Sequence, residues 1–181
     1  MRIIAGEARG RVIDAPAGMH TRPTLDRVRE NLFNMIQNDV PGSRVLDLFA
    51  GSGALSLEAI SRGAAFAVLA DHDRNACEVQ QKNIERLRYG GRTRQFRCDW
   101  KKALQSLSSE KEHFDLVFLD PPYSMLDIKE VFSSLIPVIG PETLVILEHE
   151  SGCKPQTSDA FEICKSRAWG FCAVTLYRLS A

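Results

Sequence analysis

Two stretches of the chain combine residue types that can do chemistry. The first is Asp120-Pro121-Pro122-Tyr123, which follows the apolar run Phe114–Leu119. A buried strand there would deliver a carboxylate, two stiff prolines and an aromatic ring to one edge of a sheet. Pro-Pro fixes φ, so the plain alternative is a rigid turn with Tyr123 capping a core. The chemical reading is more specific. An exocyclic base amine is a poor nucleophile because its lone pair is delocalised into the ring. Hydrogen bonds from that amine to the Asp120 carboxylate and the Pro121 carbonyl favour a pyramidal nitrogen, and a stiff backbone holds both acceptors ready. Tyr123 would stack on a base flipped into the pocket. Asp120, Pro121 and Tyr123 are therefore the candidate catalytic residues, with Asp120 ionised and orienting the amine rather than acting as a base of shifted pKa. None of the four histidines (20, 72, 113, 149) falls in a ligand pattern, and no metal is expected.

The second stretch, Val45-Leu46-Asp47-Leu48-Phe49-Ala50-Gly51-Ser52-Gly53, reads as strand, acid, then a Gly-x-Gly turn into a helix. A lone Gly-x-Gly serves any tight turn, and a dinucleotide fingerprint would want further small residues around it. Asp47 would repel a pyrophosphate. It suits instead a cofactor bearing an amino group and a sulfonium, which is S-adenosylmethionine (SAM). Asp71 ends the next strand 20 residues after Gly51, where an acid can grip ribose hydroxyls. Asp73 competes for that role, although a helix N-cap explains it without a ligand. Asp99 ends the third strand, where it can accept an adenine amine while Trp100 packs on the ring. Each acid alone is an ordinary strand end. Three of them around one glycine turn make a site.

The elements that must position these residues alternate from Ser43 onward. Strands are expected over 44–49, 66–70, a more polar 94–98 at a sheet edge, 114–119 and 143–147. Helices fall at 55–61, 73–88 and around 128–135, and 161–165 with 172–177 close the chain as a strand pair. This pattern implies a single α/β domain over 1–181, with a mostly parallel doubly wound sheet and ligands at the carboxyl ends of its strands. Ahead of the core, 1–39 reads as a β-hairpin (Arg2–Ile4 with Arg11–Asp14) and a helix over 24–38, in which Leu25, Val28, Leu32 and Ile36 keep helical spacing.

Lysine plus arginine equals aspartate plus glutamate at 23 each, so net charge is silent on partners. Local charge is not. Residues 1–29 hold six arginines against three acids, and residues 82–102 hold eight Lys/Arg against two acids. Such runs are either solvated surface or a nucleic-acid face. As the latter, Arg2, Arg9, Arg11, Arg22, Arg27 and Arg29 would join Arg97, Lys101 and Lys102, with Arg88, Arg92 and Arg94 pointing the opposite way. Five scattered cysteines, odd in number and never C-x-x-C, read as reduced thiols of a cytoplasmic protein. No apolar run is long enough for a membrane span.

Asp47–Leu55 followed by Asp120-Pro121-Pro122-Tyr123 resembles the amino-methyltransferases that place the cofactor motif first. Thr21-Arg22-Pro23-Thr24, Arg27-Val28-Arg29-Glu30, Leu32-Phe33-Asn34, Arg2-Ile3-Ile4-Ala5-Gly6 and Arg9-Gly10-Arg11 narrow this to a resemblance with the RsmD family over nearly the whole chain. That resemblance implies a Rossmann-like class I SAM-dependent fold. It also implies methylation of guanine N2 in 16S ribosomal RNA, within an assembling small subunit, by a monomer. The cofactor set it implies is Thr21, Arg22, Thr24, Asp47, Phe49, Ala50, Gly51, Gly53, Asp71, His72, Asp99 and Trp100. The family usually carries Glu where this chain has Asp71. Adenine N6 or a protein amide as acceptor, a non-catalytic RNA-binding module and a nicotinamide-dependent reductase are the competing readings.

Overall fold

The computed structural model describes residues 1–17, 23–122, 125, 128–153 and 158–181, with the side chains of Pro23 and Thr24 also outside it. Its elements are α1 (Pro23–Met35), β1 (Arg44–Asp47), α2 (Ala54–Ser61), β2 (Phe66–Asp71), α3 (Arg74–Leu87), β3 (Thr93–Arg97), α4 (Trp100–Ser109), β4 (Phe114–Leu119), α5 (Ile128–Leu135), β5 (Ile139–Glu150), β6 (Phe161–Trp169) and β7 (Cys172–Leu179). The seven strands form one sheet in the order β3-β2-β1-β4-β5-β7-β6. Strands β1 to β5 are parallel, and the β6–β7 hairpin adds two antiparallel strands at the far edge. Strand order reverses between β1 and β4, so a crevice opens at their carboxyl ends, where such folds bind ligands.

Each central strand is apolar on both sides because helices cover both faces. On one face Val45, Leu69 and Phe118 pack with Leu32 and Phe33 of α1, Ile36 just after it, Leu57 and Ile60 of α2, and Ile84 and Leu87 of α3. On the other, Leu46, Val68, Val117 and Leu147 pack with Leu104 and Leu107 of α4 and with Val131, Phe132 and Leu135 of α5. The polar strand β3 lies at the edge, as its sequence suggests. Asp73 caps α3 by accepting from the Asn75 amide at 2.7 Å.

Three expectations need correction. Helix α4 is absent from the sequence reading because Trp100–Ser109 presents only a short apolar stripe at the end of a basic run, and its cap, Asp99, reads in sequence only as a strand end. Strand β5 spans 12 residues, its ends drawn out by pairing first with β4 and then with β7. The N-terminal hairpin shrinks to one bridge, Arg2↔Val12, with flanking amide bonds from Ile3 to Arg11 and from Ile13 to Met1.

What holds that short hairpin is the body of the domain. Glu58 of α2 is fully buried, and its carboxylate accepts from the Ile4 and Ala5 amides at 2.8 and 3.0 Å. Arg62 pairs with it at 2.8 Å, which offsets the cost of burying the charge. Asn83 of α3 accepts from the Asp14 amide and donates to the Asp14 and Ser52 carbonyls. At the hairpin tip a side chain on Gly6 would stand 1.8 Å from the Ser61 carbonyl oxygen, so only glycine allows this approach.

Candidate active site

A cavity of about 630 Å³ opens at the strand-order reversal. Its wall carries Asp47 from the end of β1, the Phe49–Ser52 loop, Asp71–Asp73 beyond β2, Asp99 and Trp100 beyond β3, Asp120–Pro122 beyond β4 and Glu148 near the end of β5. Met1, Pro16 and Ala17 from the segment before α1 and Leu25, Asp26, Val28 and Arg29 of α1 line it as well. The fold thus gathers acids that are 73 residues apart in sequence, from Asp47 to Asp120.

The loop after β1 is held by Asp71 and by Gln80 of α3. Asp71 Oδ2 accepts from the Gly51 amide at 2.8 Å, and Gln80 Nε2 donates to the Gly51 carbonyl at 3.0 Å. Asp71 Oδ1 accepts from the Asp73 amide at 2.9 Å. Asp71 is therefore oriented before any ligand arrives, and a carboxylate keeps further lone pairs for hydroxyl donors. Gly51 has φ +53 and open space where a side chain would project, so its absent side chain leaves room on the cavity side. Gly53 plays a different part. It does not line the cavity, and with φ +80 a side chain there would meet Leu69 Cδ2 at 2.9 Å, so packing and the start of α2 require it.

Asp47 is 1% exposed and accepts from Ser56 Oγ at 3.0 Å. Burial, opposed by that hydrogen bond and reinforced by nearby Asp71, pushes its pKa up to about 7. Asp120 faces open cavity space, yet protein surrounds it. That enclosure, together with the Glu148 and Asp47 charges, raises its carboxyl well above the usual range. The enclosure governs its titration, because open space above one side does not restore bulk water around the carboxylate. The ionised form expected of Asp120 is therefore harder to reach in the ligand-free pocket than for a solvated carboxylate. Glu148 is raised too, chiefly by burial and against the pull of its Cys172 hydrogen bond.

Phe49, Ala50, Gly51, Asp71, His72, Asp99, Trp100, Asp120 and Pro121 all line the cavity as the sequence suggested. Asp99 also caps α4, accepting from the Lys102 amide at 3.0 Å. Thr21, Arg22 and Tyr123 lie outside the described residues, as does the Thr24 side chain. Glu148 was missed because one acid in Leu147-Glu148-His149-Glu150 carries no signal until β4 and β5 are aligned. The lining role of α1 was missed for the same reason.

The basic residues divide differently from expectation. Arg29 is not on a surface: it is 5% exposed, donating to the Arg2 carbonyl at 2.5 Å and to Asp26 at 3.0 Å, with Glu58 4.0 Å away. Helix periodicity turns it inward beside Val28. Arg9 and Arg11 are exposed, but their hairpin tip sits at the amino end of the sheet. There the Glu7 amide donates to Ser61, Arg92 pairs with Glu7, and Arg11 donates to the Arg86 carbonyl. They therefore share a flank with Arg92, not with the cavity mouth. Arg27, Arg97, Lys101 and Lys102 are exposed around the mouth, with Lys101 2.6 Å from Glu130 and above the Trp100 ring.

A parallel sheet with a reversal at β1/β4, an acid-and-glycine loop after β1 and a Pro-Pro loop after β4 define a methyltransferase of Rossmann-like, class I type. Comparison with known proteins narrows this to a family. The family model described as "Conserved hypothetical protein 95" matches residues 1–178. The Escherichia coli K12 protein Ribosomal RNA small subunit methyltransferase D is 34% identical, covering 100% of this chain and 91% of that one. Its Haemophilus influenzae namesake is 33% identical over 98% and 93% of the two chains. Among solved structures, one from E. coli superposes with a TM-score of 0.85 at 32% identity over 100% and 98% of the chains. A Thermus thermophilus protein described as hypothetical gives 0.81 at 32% identity over 97% and 98%. This chain belongs to the RsmD family.

Proposed function

We propose that this protein transfers a methyl group from SAM to the exocyclic N2 amine of a guanine in 16S ribosomal RNA, acting as a cytoplasmic monomer on an assembling small subunit. The observation that carries the reading is the placement of Asp120-Pro121 on the same cavity as Asp47, the Gly51 turn and Asp71. The cavity fits such a cofactor. Seven acids line it (Asp26, Asp47, Asp71, Asp73, Asp99, Asp120, Glu148), and Arg29 is the only described lining residue of the Lys/Arg type. Burial first, and neighbouring acids second, raise Asp47 and Asp120, and a cationic ligand would favour the ionised form of both.

In this reading Asp71 accepts the ribose hydroxyls, Asp99 the adenine amine, and Trp100 packs on the ring. Asp47 faces the amino-acid portion. When bound, the sulfonium supplies an activated methyl that leaves with its bonding pair returned to sulfur. The Asp120 carboxylate and the Pro121 carbonyl accept the two N2 hydrogens and hold the amine lone pair toward the methyl, so alignment supplies much of the acceleration. The excess proton leaves the methylated nitrogen for solvent after transfer, since the neutral amine has none worth removing beforehand. Arg27, Arg97, Lys101 and Lys102 around the mouth meet phosphates. Phe171, 92% exposed just beyond the carboxyl end of β5, offers a face for an unpaired base.

The test is nucleoside mass spectrometry after reaction of purified protein with small-subunit particles from a strain lacking it. N2-methylguanosine is the expected product. N6-methyladenosine in its place would preserve the fold and cofactor assignments and overturn the acceptor.

A further inference from the structure

The sheet brings a second carboxylate to the catalytic loop. Strands β4 and β5 are parallel with Leu119 opposite Leu147, so the next residue on each, Asp120 and Glu148, ends up side by side at the cavity wall. Neither is neutralised by a lysine or arginine among the described residues. The one such residue lining the cavity, Arg29, is engaged by Asp26 and Glu58. What holds Glu148 is a neutral donor: Cys172 Sγ of β7 donates to Glu148 Oε1 at 3.2 Å. Burial and the neighbouring acids push that thiol's pKa up, so it stays protonated and orients the carboxylate without discharging it. His149 does not reach in either, since its ring bonds the Glu150 carbonyl and Thr175 Oγ1.

Two adjacent carboxylates with no cation are costly unless a ligand brings donors. Guanine brings three along one edge: two hydrogens on N2 and one on N1. The site offers three acceptors: the Asp120 carboxylate, the Pro121 carbonyl and Glu148. We infer that Glu148 is the specificity residue of this site, its carboxylate accepting the N1–H of the purine whose N2 amine Asp120 and Pro121 hold. The inference rests on the proposed N2 methylation and deepens it. Adenine and cytosine carry a lone pair at the ring nitrogen beside their amine, and an ionised Glu148 repels that lone pair. Accepting N1–H also pushes electron density toward N2, which makes the amine a better nucleophile.

The test uses small-subunit particles whose target position carries either guanine or 2-aminopurine. The latter keeps the N2 amine but has a lone pair at N1. Wild type should prefer guanine in kcat/KM by about 10²-fold or more, since a site built around a hydrogen bond strongly rejects the analogue lacking it. Glu148→Gln, whose amide can donate to the lone pair, should shrink that preference by about tenfold or more, because an amide can serve either ring nitrogen. Its SAM affinity should stay at the wild-type value. Glu148→Asp, which keeps the charge, should be slower but still prefer guanine. A guanine preference unchanged in Glu148→Gln overturns the role of Glu148 while leaving N2 methylation standing. A wild-type product on adenine N6 overturns both.

Discussion

The two halves of the cavity are built on opposite electrostatic terms. Beyond β1 and β2, the polar groups already satisfy one another: Asp71 ties down the Gly51 and Asp73 amides, Gln80 holds the Gly51 carbonyl, and Ser56 serves Asp47. Beyond β4 and β5, Asp120 and Glu148 stand side by side, and the only described hydrogen bond to either comes from a thiol. The first half has a shape fixed by its own hydrogen bonds, as the proposed cofactor role requires. The second holds charge in reserve, and donors on a substrate are what settle it. A binding site gains from being preorganised, whereas a catalytic acceptor must stay available for the group it acts upon.

The largest expected effect tests the second half. Asp120→Ala should lower kcat by about 10² to 10³-fold, the scale for removing one preorganised electrostatic partner. SAM affinity, measured by calorimetry, should be retained, because the cofactor contacts proposed above come from the other strands. A fully active variant would remove Asp120 from the chemistry.

Asp71→Ala should show the reverse pattern. It loses the proposed ribose acceptor and frees the Gly51 and Asp73 amides, so SAM binding should weaken by about 1 to 3 kcal/mol. The melting temperature without ligand should fall as well. Wild-type affinity in that variant would pass the ribose role to Asp73.

A smaller effect concerns Asp47, whose pKa of about 7 exceeds its unfolded value, so the native state holds a proton the unfolded chain has shed. Its contribution to stability is therefore present at low pH and lost as pH rises through about 7. The ligand-free protein should melt higher near about pH 6 than near about pH 8. A cation in the pocket favours the ionised form. SAM binding near about pH 6 should accordingly release protons, read from calorimetry in buffers of different ionisation enthalpy. No proton release would mean that Asp47 does not sense the cofactor.

The smallest effects lie outside the cavity and ask whether its mouth or the hairpin flank meets RNA. Replacing Arg97 and Lys102 by alanine should weaken particle binding and flatten its salt dependence by about one phosphate contact each. The pair Arg9 and Arg11, at the amino end of the sheet, should cost less. Equal losses from both pairs would extend the RNA face down the hairpin.

Local pattern carried most of the order of elements, the edge position of β3, the cap at Asp73 and the two loops that meet at the cavity. It did so because burial on both faces writes apolar runs into a parallel strand, and because a ligand-bearing turn needs glycine or a stiff proline at a fixed place. What pattern could not carry was anything that depends on which strands become neighbours. Glu148 and Asp120 are 28 residues apart in sequence, and only the β4–β5 register sets them together. Arg29 looks like any basic residue of a basic segment until α1 packs and Glu58 turns out to lie beneath it. Gly53 looks like half of a ligand loop until Leu69 is seen against it. Sequence alone determined the kinds of group this protein presents at its strand ends. Tertiary structure decided which groups meet and which charges stay uncompensated, because desolvation and Coulomb energy depend on distances that local sequence does not contain.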